Sequence, residues 1–252
     1  MRLPFHLFSR SRNKIVDSFG RSDCGKVRTN NEDSFALLPE RNLFIVADGM
    51  GGHHAGEVAS RMAIEKTVTL CSQKELAMQN GNEVAMQHFL IGIFSRVNKD
   101  VMQASEANEA YLGMGTTLTL VYVEGSRLHC CHVGDSRCYL LRDGNLTQIT
   151  SDHVAELSEE TADGSGRVKS NAVTRIIGYP FPEDPEYHAL KLAHRDKILL
   201  CTDGLWSMID DQRITGIMEE EGNAERYCDK LIEEANAAGG RDNITAVVAI
   251  AG

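Results

Sequence analysis

The sequence predicts an α+β fold in which antiparallel sheets are covered by helices. Three observations predict it. Strand-like segments come first, then helical ones, then a long run of strands, then helices again, an order that argues against a doubly wound parallel sheet. The strands from Thr116 onward are joined by connections of hairpin length. Several strands, among them LFIVA, KILLC and ITAVVAI, are nearly continuous apolar runs, as expected where both faces are covered. No Pro/Ser/Gly-rich linker divides the 252 residues, so residues 15–252 are read as a single domain.

In order along the chain, residues 15–19 and 34–38 read as short strands and 43–47 as a fully buried one. Ala55, Val58, Ala59, Met62 and Ala63 then recur at helical spacing, predicting a helix from Ala55 to about Cys71. A second helix is expected from Asn82, a plausible cap, to about Ala104, with Leu90, Ile93, Val97 and Val101 on one face. TTLTLVYV, RLHCCHV, RCYLL and NLTQI follow as a meander turning at Glu124–Ser126 and at Asp143-Gly144. Residues 151–173 are polar and weakly periodic, which reads as a mobile surface flap with one helical turn. YHALKL and KILLC resume strand character. Asp210 or Asp211 can cap a helix through Glu220, Ala224 to Ala235 mark another, and ITAVVAI closes the chain as a strand.

Composition narrows the function classes. Thirty-six acids against 26 bases, a formal charge of −10 and 42% hydrophobic residues describe a soluble globular chain. The acidic balance argues against a nucleic-acid surface, which needs clustered Lys and Arg. No apolar run is long enough for a transmembrane segment. Seven cysteines, odd in number and without a CxxC pair, fit reduced thiols in the cytoplasm. Residues 1–14 carry four basic and no acidic side chains and read as a separate basic N-terminal tail, disordered or loosely docked.

The positions of six acids carry the chemistry. Asp48, Asp135 and Asp203 end apolar strands, Asp242 immediately precedes one, and Glu32 and Asp33 stand just before SFALL. Each alone is explained as a turn or cap residue, and Asp143-Gly144 is such a turn. Asp48-Gly49 instead leads into a Gly-rich loop and a helix, and no hairpin partner follows Asp203-Gly204. Hard divalent cations take oxygen ligands from several chain segments held at strand ends. Six converging carboxylates without cations would force some to stay protonated. Two cations would neutralise four of the charges, lower the pKa of a bridging water and clamp a phosphoryl group. The chain lacks the phosphate loop, the GxGxxG fingerprint, HExxH and GxSxG.

In order, RTNNEDS (28–34), VADGMGGHHAGEVAS (46–60), GTTL (115–118), VGDSR (133–137), TRIIG (174–178), TDGLW (202–206) and GGRDNIT (239–245) resemble the metal-dependent type 2C protein serine/threonine phosphatases in their compact bacterial form. The resemblance implies a four-layer αββα sandwich, two central antiparallel sheets flanked by helices, with a dinuclear manganese or magnesium centre at one end. By position, Asp48 resembles the carboxylate bridging both metals, with the Gly49 carbonyl on the second. Asp203 and Asp242 resemble the other ligands of the first. Glu32 resembles the acid holding the second metal through water, and Asp33 its hydrogen-bonding neighbour. Asp135 matches the acid that helps hold a weaker third metal, and Arg28 the phosphate-binding arginine, with a surface salt bridge as its plainer reading.

The implied activity is hydrolysis of phosphoserine and phosphothreonine by direct attack of a metal-bridging hydroxide. The expected setting is a cytoplasmic monomer that acts on phosphorylated proteins opposite a Ser/Thr protein kinase. The alternative is a non-catalytic regulator of the same fold that binds phosphoproteins. Met50 stands where animal members carry a histidine proposed as general acid, so that role is open among His53, His54, His153 and a metal-bound water. The flap departs from the family in length and sequence, and the basic tail lies outside the resemblance.

Overall fold

The computed structural model describes residues 15–52, 55–160 and 167–252, the backbone alone at 157–160 and 167–171. In chain order its elements are β1 (Ile15–Asp23), β2 (Asp33–Leu38), β3 (Leu43–Met50), α1 (Ala55–Leu70), α2 (Gln73–Gln79), α3 (Glu83–Ala107), β4 (Gly115–Thr116), β5 (Leu118–Glu124), β6 (Arg127–Val133), β7 (Arg137–Arg142), β8 (Asn145–Gln148), β9 (Val154–Glu160), β10 (Arg167–Val173), β11 (Glu186–Lys191), β12 (Lys197–Cys201), α4 (Asp203–Trp206), α5 (Asp211–Glu219), α6 (Ala224–Ala237) and β13 (Ile244–Ala251).

Two antiparallel sheets form the centre, one ordered β1-β13-β12-β7-β8 and the other β11-β6-β5-β3-β2, with β4 added against the end of β3. Strand period assigns the layers. In β3, Leu43, Ile45 and Ala47 point to the helical side and pack with Ala59, Phe94 and Val97 of α1 and α3. Their neighbours Phe44 and Val46 point the other way and meet Cys138, Leu200 and Val247 of the second sheet. In β13 the same alternation sends Ile244, Ala246 and Val248 against Tyr227, Cys228 and Leu231 of α6, and Val247, Ala249 and Ala251 into the space between sheets. Three apolar cores separate four layers, as expected for an αββα sandwich. The nearly continuous apolar runs of the sequence are this double burial.

Local chemistry sets the helix starts. The Asn82 side chain accepts from the Ala85 N–H at 3.0 Å, capping α3, and Asp210, rather than Asp211, caps α5 by accepting from the Arg213 N–H at 2.8 Å. All seven cysteines are free and six are buried.

The structure corrects four readings. The expected meander is broken, because β6 and β7 lie in different sheets and the chain crosses between them at 134–136. Gly134 has φ +118 and a Cβ there would lie 2.6 Å from the Thr117 Cβ, a close approach that only glycine permits. Among its described residues the segment 151–173 holds no helical turn: β9 and β10 pair antiparallel, Val154 opposite Val173. Its alternation is carried largely by polar residues, so the two-residue period was masked. The short helices α2 and α4 were missed, being too brief to display a helical period. TTLTLVYV is split at Thr117, since Gly115 and Thr116 pair with Met50 and Gly49 and extend β3 past Asp48. The basic tail, His53 and His54 lie outside the described residues.

Candidate metal centre

Antiparallel pairing brings the predicted acids to one end of the sheets. Asp33, at the start of β2, lies directly opposite Asp48, near the end of β3, and opposite residues share a face. Asp48 follows the parity of Phe44 and Val46, so both carboxylates face the inter-sheet space at its open end. On the facing sheet β12 ends at Cys201 and its neighbour β13 begins at Ile244, which sets Asp203 and Asp242 at the same end. Asp135 arrives from the crossover between sheets. Arg28, Glu32, Asp48, Gly49, Asp135, Asp203 and Asp242 all line one cavity of about 250 Å³, completed in part by Met50, Thr117, Val173 and Asn243. Asp33 stands behind this lining.

Each acid is held by its surroundings. Asp33 Oδ2 accepts from the Thr202 and Thr245 hydroxyls at 2.8 and 2.6 Å. The Asp48 N–H donates to Thr117 Oγ1 at 2.8 Å, and that hydroxyl also meets Ser136 Oγ at 2.7 Å, joining the β3 acid to the Asp135 turn. Trp206 Nε1 donates to the Asp135 carbonyl at 3.1 Å, while Arg137 lies 3.7 Å over the Trp206 ring and grips Asp152 through two nitrogens. Asn243 accepts from the Glu32 N–H at 2.8 Å and donates to the carbonyls of Cys24 and Asn30 at 3.0 and 2.8 Å. The Glu32 carbonyl accepts from the Gly49 N–H. A Cβ on Gly49 would stand 2.1 Å from the Gly56 carbonyl oxygen, and one on Gly56 2.3 Å from Glu32 Oε2. Strand and helix therefore meet glycine on glycine, which lets the Glu32 carboxylate lie against the start of α1.

The electrostatics of this end are adverse to bare carboxylates. Burial pushes Asp48 well above the usual carboxylate range, and Asp33, Asp203, Asp135 and Asp242 raise it further. Asp33 is pushed up to about 7 by burial, against the lowering effect of its two hydroxyl donors. Burial and Asp203 raise Asp135 to about 7. Asp203 is raised by burial and by Asp242. Asp33 Oδ1 and Asp203 Oδ1 are buried without a hydrogen-bond partner. Unpartnered buried carboxylate oxygens, each destabilised as an anion by its neighbours, fit a site that cations complete. The donor set is all oxygen, suited to magnesium or manganese rather than to a soft metal. Arg28 Nη2 lies 2.6 Å from Asp242 Oδ2 with its side chain half-exposed beside the cavity, so its plainer reading, a salt bridge, is also present.

Two other places lack this chemistry. A second cavity, about 570 Å³, is lined by Asp143, Lys197, Glu219, Glu220 and Tyr227 among others, but Lys197 is bound to Tyr227 and Glu220 to Arg226 and Lys230. His132, His153 and Glu186 bring three ligand-type atoms within 4.8 Å of one another. Their lone pairs are committed. The Gly134 N–H donates to His153 Nδ1 at 3.0 Å, and the Gly134 carbonyl lies 3.0 Å from His132 Nε2, whose Nδ1 meets Thr119 Oγ1 at 2.8 Å. A metal on these imidazoles would displace those bonds, so the pair is a clamp on the residue preceding Asp135. Sequence reasoning missed this clamp and the roles of Thr117, Ser136 and Asn243; only their places within GTTL, VGDSR and GGRDNIT marked them.

A family model, Protein phosphatase 2C, matches residues 17–244. The serine/threonine phosphatase stp of Listeria welshimeri is 32% identical over 239 residues, covering 90% of this chain and 93% of that protein. The serine/threonine protein phosphatase PstP of Mycobacterium tuberculosis is 37% identical over 91% of this chain and 44% of its own length. The crystal structure of the catalytic domain of PstP in complex with two manganese ions superposes with a TM-score of 0.75 at 33% identity, covering 93% of this chain and 97% of that one.

Proposed function

The chain belongs to the protein phosphatase 2C family, and from that membership we propose that it hydrolyses phosphoserine and phosphothreonine in proteins at a dinuclear manganese or magnesium centre. The observation that carries the reading is the convergence of carboxylates from both sheets on one cavity beside Arg28, where burial and mutual repulsion leave them in want of cations.

In this reading Asp48, Asp203 and Asp242 would hold the first metal, and Asp48, Glu32 and the Gly49 carbonyl the second. Asp135 would help hold a weaker third. When bound, the cations supply an activated water and charge neutralisation for in-line attack at phosphorus. The chain's own residues do the rest. Asp33 fixes the Asp203 end of the facing sheet through Thr202 and Thr245. Arg28, always charged, offers planar paired donors to phosphate oxygens. Asp135 is aimed by the Gly134 clamp and by Trp206. Met50 carries no transferable proton, and His153, whose Nδ1 accepts from the Gly134 N–H, does not line the cavity, which argues against it as donor to the leaving oxygen.

The β9/β10 hairpin acts as the flap, with Val173 at its base lining the cavity. We place the enzyme in the cytoplasm as a monomer opposing a Ser/Thr protein kinase, in keeping with its free, mostly buried thiols and the family resemblance. A phosphothreonine peptide and a phosphodiester compared at equal manganese test the proposal. The peptide is expected to turn over at least about 100-fold faster and to stop on EDTA addition. A faster diester would overturn it.

A further inference from the structure

We propose that the surface formed by Met50, Tyr179 and Leu112 is a docking shelf for an apolar side chain of the substrate polypeptide, flanking the phosphorylated residue. The inference rests on the reading of the cavity as the phosphoryl site and names what that site selects.

Single exposed apolar residues are ordinary, but a contiguous group beside a cleft is not. Leu112 is 73% exposed, Tyr179 43% and Met50 41%. They are far apart in sequence, and the fold makes them neighbours. Met50 lines the phosphoryl cavity and pairs with Gly115 across β3 and β4. The Tyr179 ring lies over that same glycine, its Cε2 3.3 Å from where a Gly115 Cβ would stand. Its hydroxyl donates to the Gly113 carbonyl at 3.1 Å, next to Leu112.

The Tyr179 part of the shelf is held in place. Asn98 of α3, itself buried, donates to the Tyr179 carbonyl at 2.9 Å and accepts from the Gly178 N–H at 2.6 Å. Gly115 has no side chain to lift the ring off the backbone. Apolar faces thus run outward from the cavity's edge, while the cavity itself is lined by carboxylates. An extended chain advances about 3.3 Å per residue, so a phosphoresidue in the cavity delivers its near neighbours to this shelf. Apolar neighbours lose water against it, whereas an acidic neighbour would have to leave water for an apolar face.

The test uses the manganese-loaded full chain and phosphothreonine peptides of equal length bearing Leu, Ser or Glu one to three positions to either side. Para-nitrophenyl phosphate, which has no flank, is the reference substrate. The Leu peptides on at least one side are expected to exceed the Ser peptides about tenfold in kcat/KM, the size of one well-covered aliphatic side chain, with Glu lowest. Leu112→Glu and the milder Leu112→Ser are expected to reduce that preference to about twofold or less and leave para-nitrophenyl phosphate turnover unchanged. Equal kcat/KM for Leu and Ser peptides in an active wild type, or a preference intact in both variants, would overturn the shelf alone. An equal fall on both substrates in both variants would also overturn it. Inactivity of the wild type on every phosphate ester would overturn the phosphatase reading beneath it.

Discussion

Replacing Asp33 by Asn is predicted to stabilise the metal-free protein, and to do so increasingly as pH rises. Asn keeps an oxygen that can accept from Thr202 and Thr245, so the change removes a buried charge and little else. The Asp33 carboxyl is raised from 3.8 to about 7. An acid raised in the folded state contributes stability that is present below about pH 4 and lost as pH climbs through the folded value. The full penalty of the ionised form is about 4 kcal/mol as an upper bound at pH 8, and about 2 kcal/mol at pH 5. Neighbouring carboxylates share protons with it, which lowers the realised figure but not its direction. Urea denaturation of wild type and Asp33→Asn in EDTA at pH 5 and pH 8 measures the difference. Saturating manganese should shrink the advantage, because cations favour the anion. A variant less stable at pH 8, or an advantage independent of pH, would refute the electrostatic account of this end of the sheets.

Three further outcomes follow from the same geometry. Asp242→Asn should weaken manganese binding by an order of magnitude or more in calorimetry and free Arg28 from its ion pair; unchanged affinity would remove Asp242 from the proposed ligands. Arg28→Ala should lower kcat/KM on phosphopeptide by about 100-fold, and Lys should restore only part, since it lacks the planar fork; full rescue by Lys would reduce Arg28 to a point charge. Gly49→Ala, whose Cβ would stand 2.1 Å from the Gly56 carbonyl, should destabilise by about 3 kcal/mol or abolish folding. A normal melting temperature would show that the glycine contact yields.

The sequence disclosed the doubly buried strands because β-branched and aliphatic runs such as LFIVA are too short for a buried helix and are bounded by turn residues. It disclosed the turn at Asp143-Gly144 as well, where both residues take positive φ, +50 and +77, as a two-residue hairpin requires. It could not disclose the change of sheet at Gly134: strands apolar on both faces carry the same pattern in either sheet. The candidate acids were legible from their places beside apolar runs, but not the reason they need cations. That lies in long-range pairing, where Asp33 faces Asp48 and both approach Asp203 from the other sheet. The His132–His153 clamp joins residues 21 apart through a backbone group, for which no local spacing exists.

The most direct test of the central claim, that these acids build a hydrolytic metal centre, is phosphate release from a phosphothreonine peptide as free manganese is raised from zero, for wild type and Asp203→Asn. The account predicts no turnover without metal, a saturable rise in the wild type, and less than about 1% of that rate in the variant at any manganese concentration. Robust turnover by metal-free wild type, or a variant that reaches the wild-type rate, would contradict it.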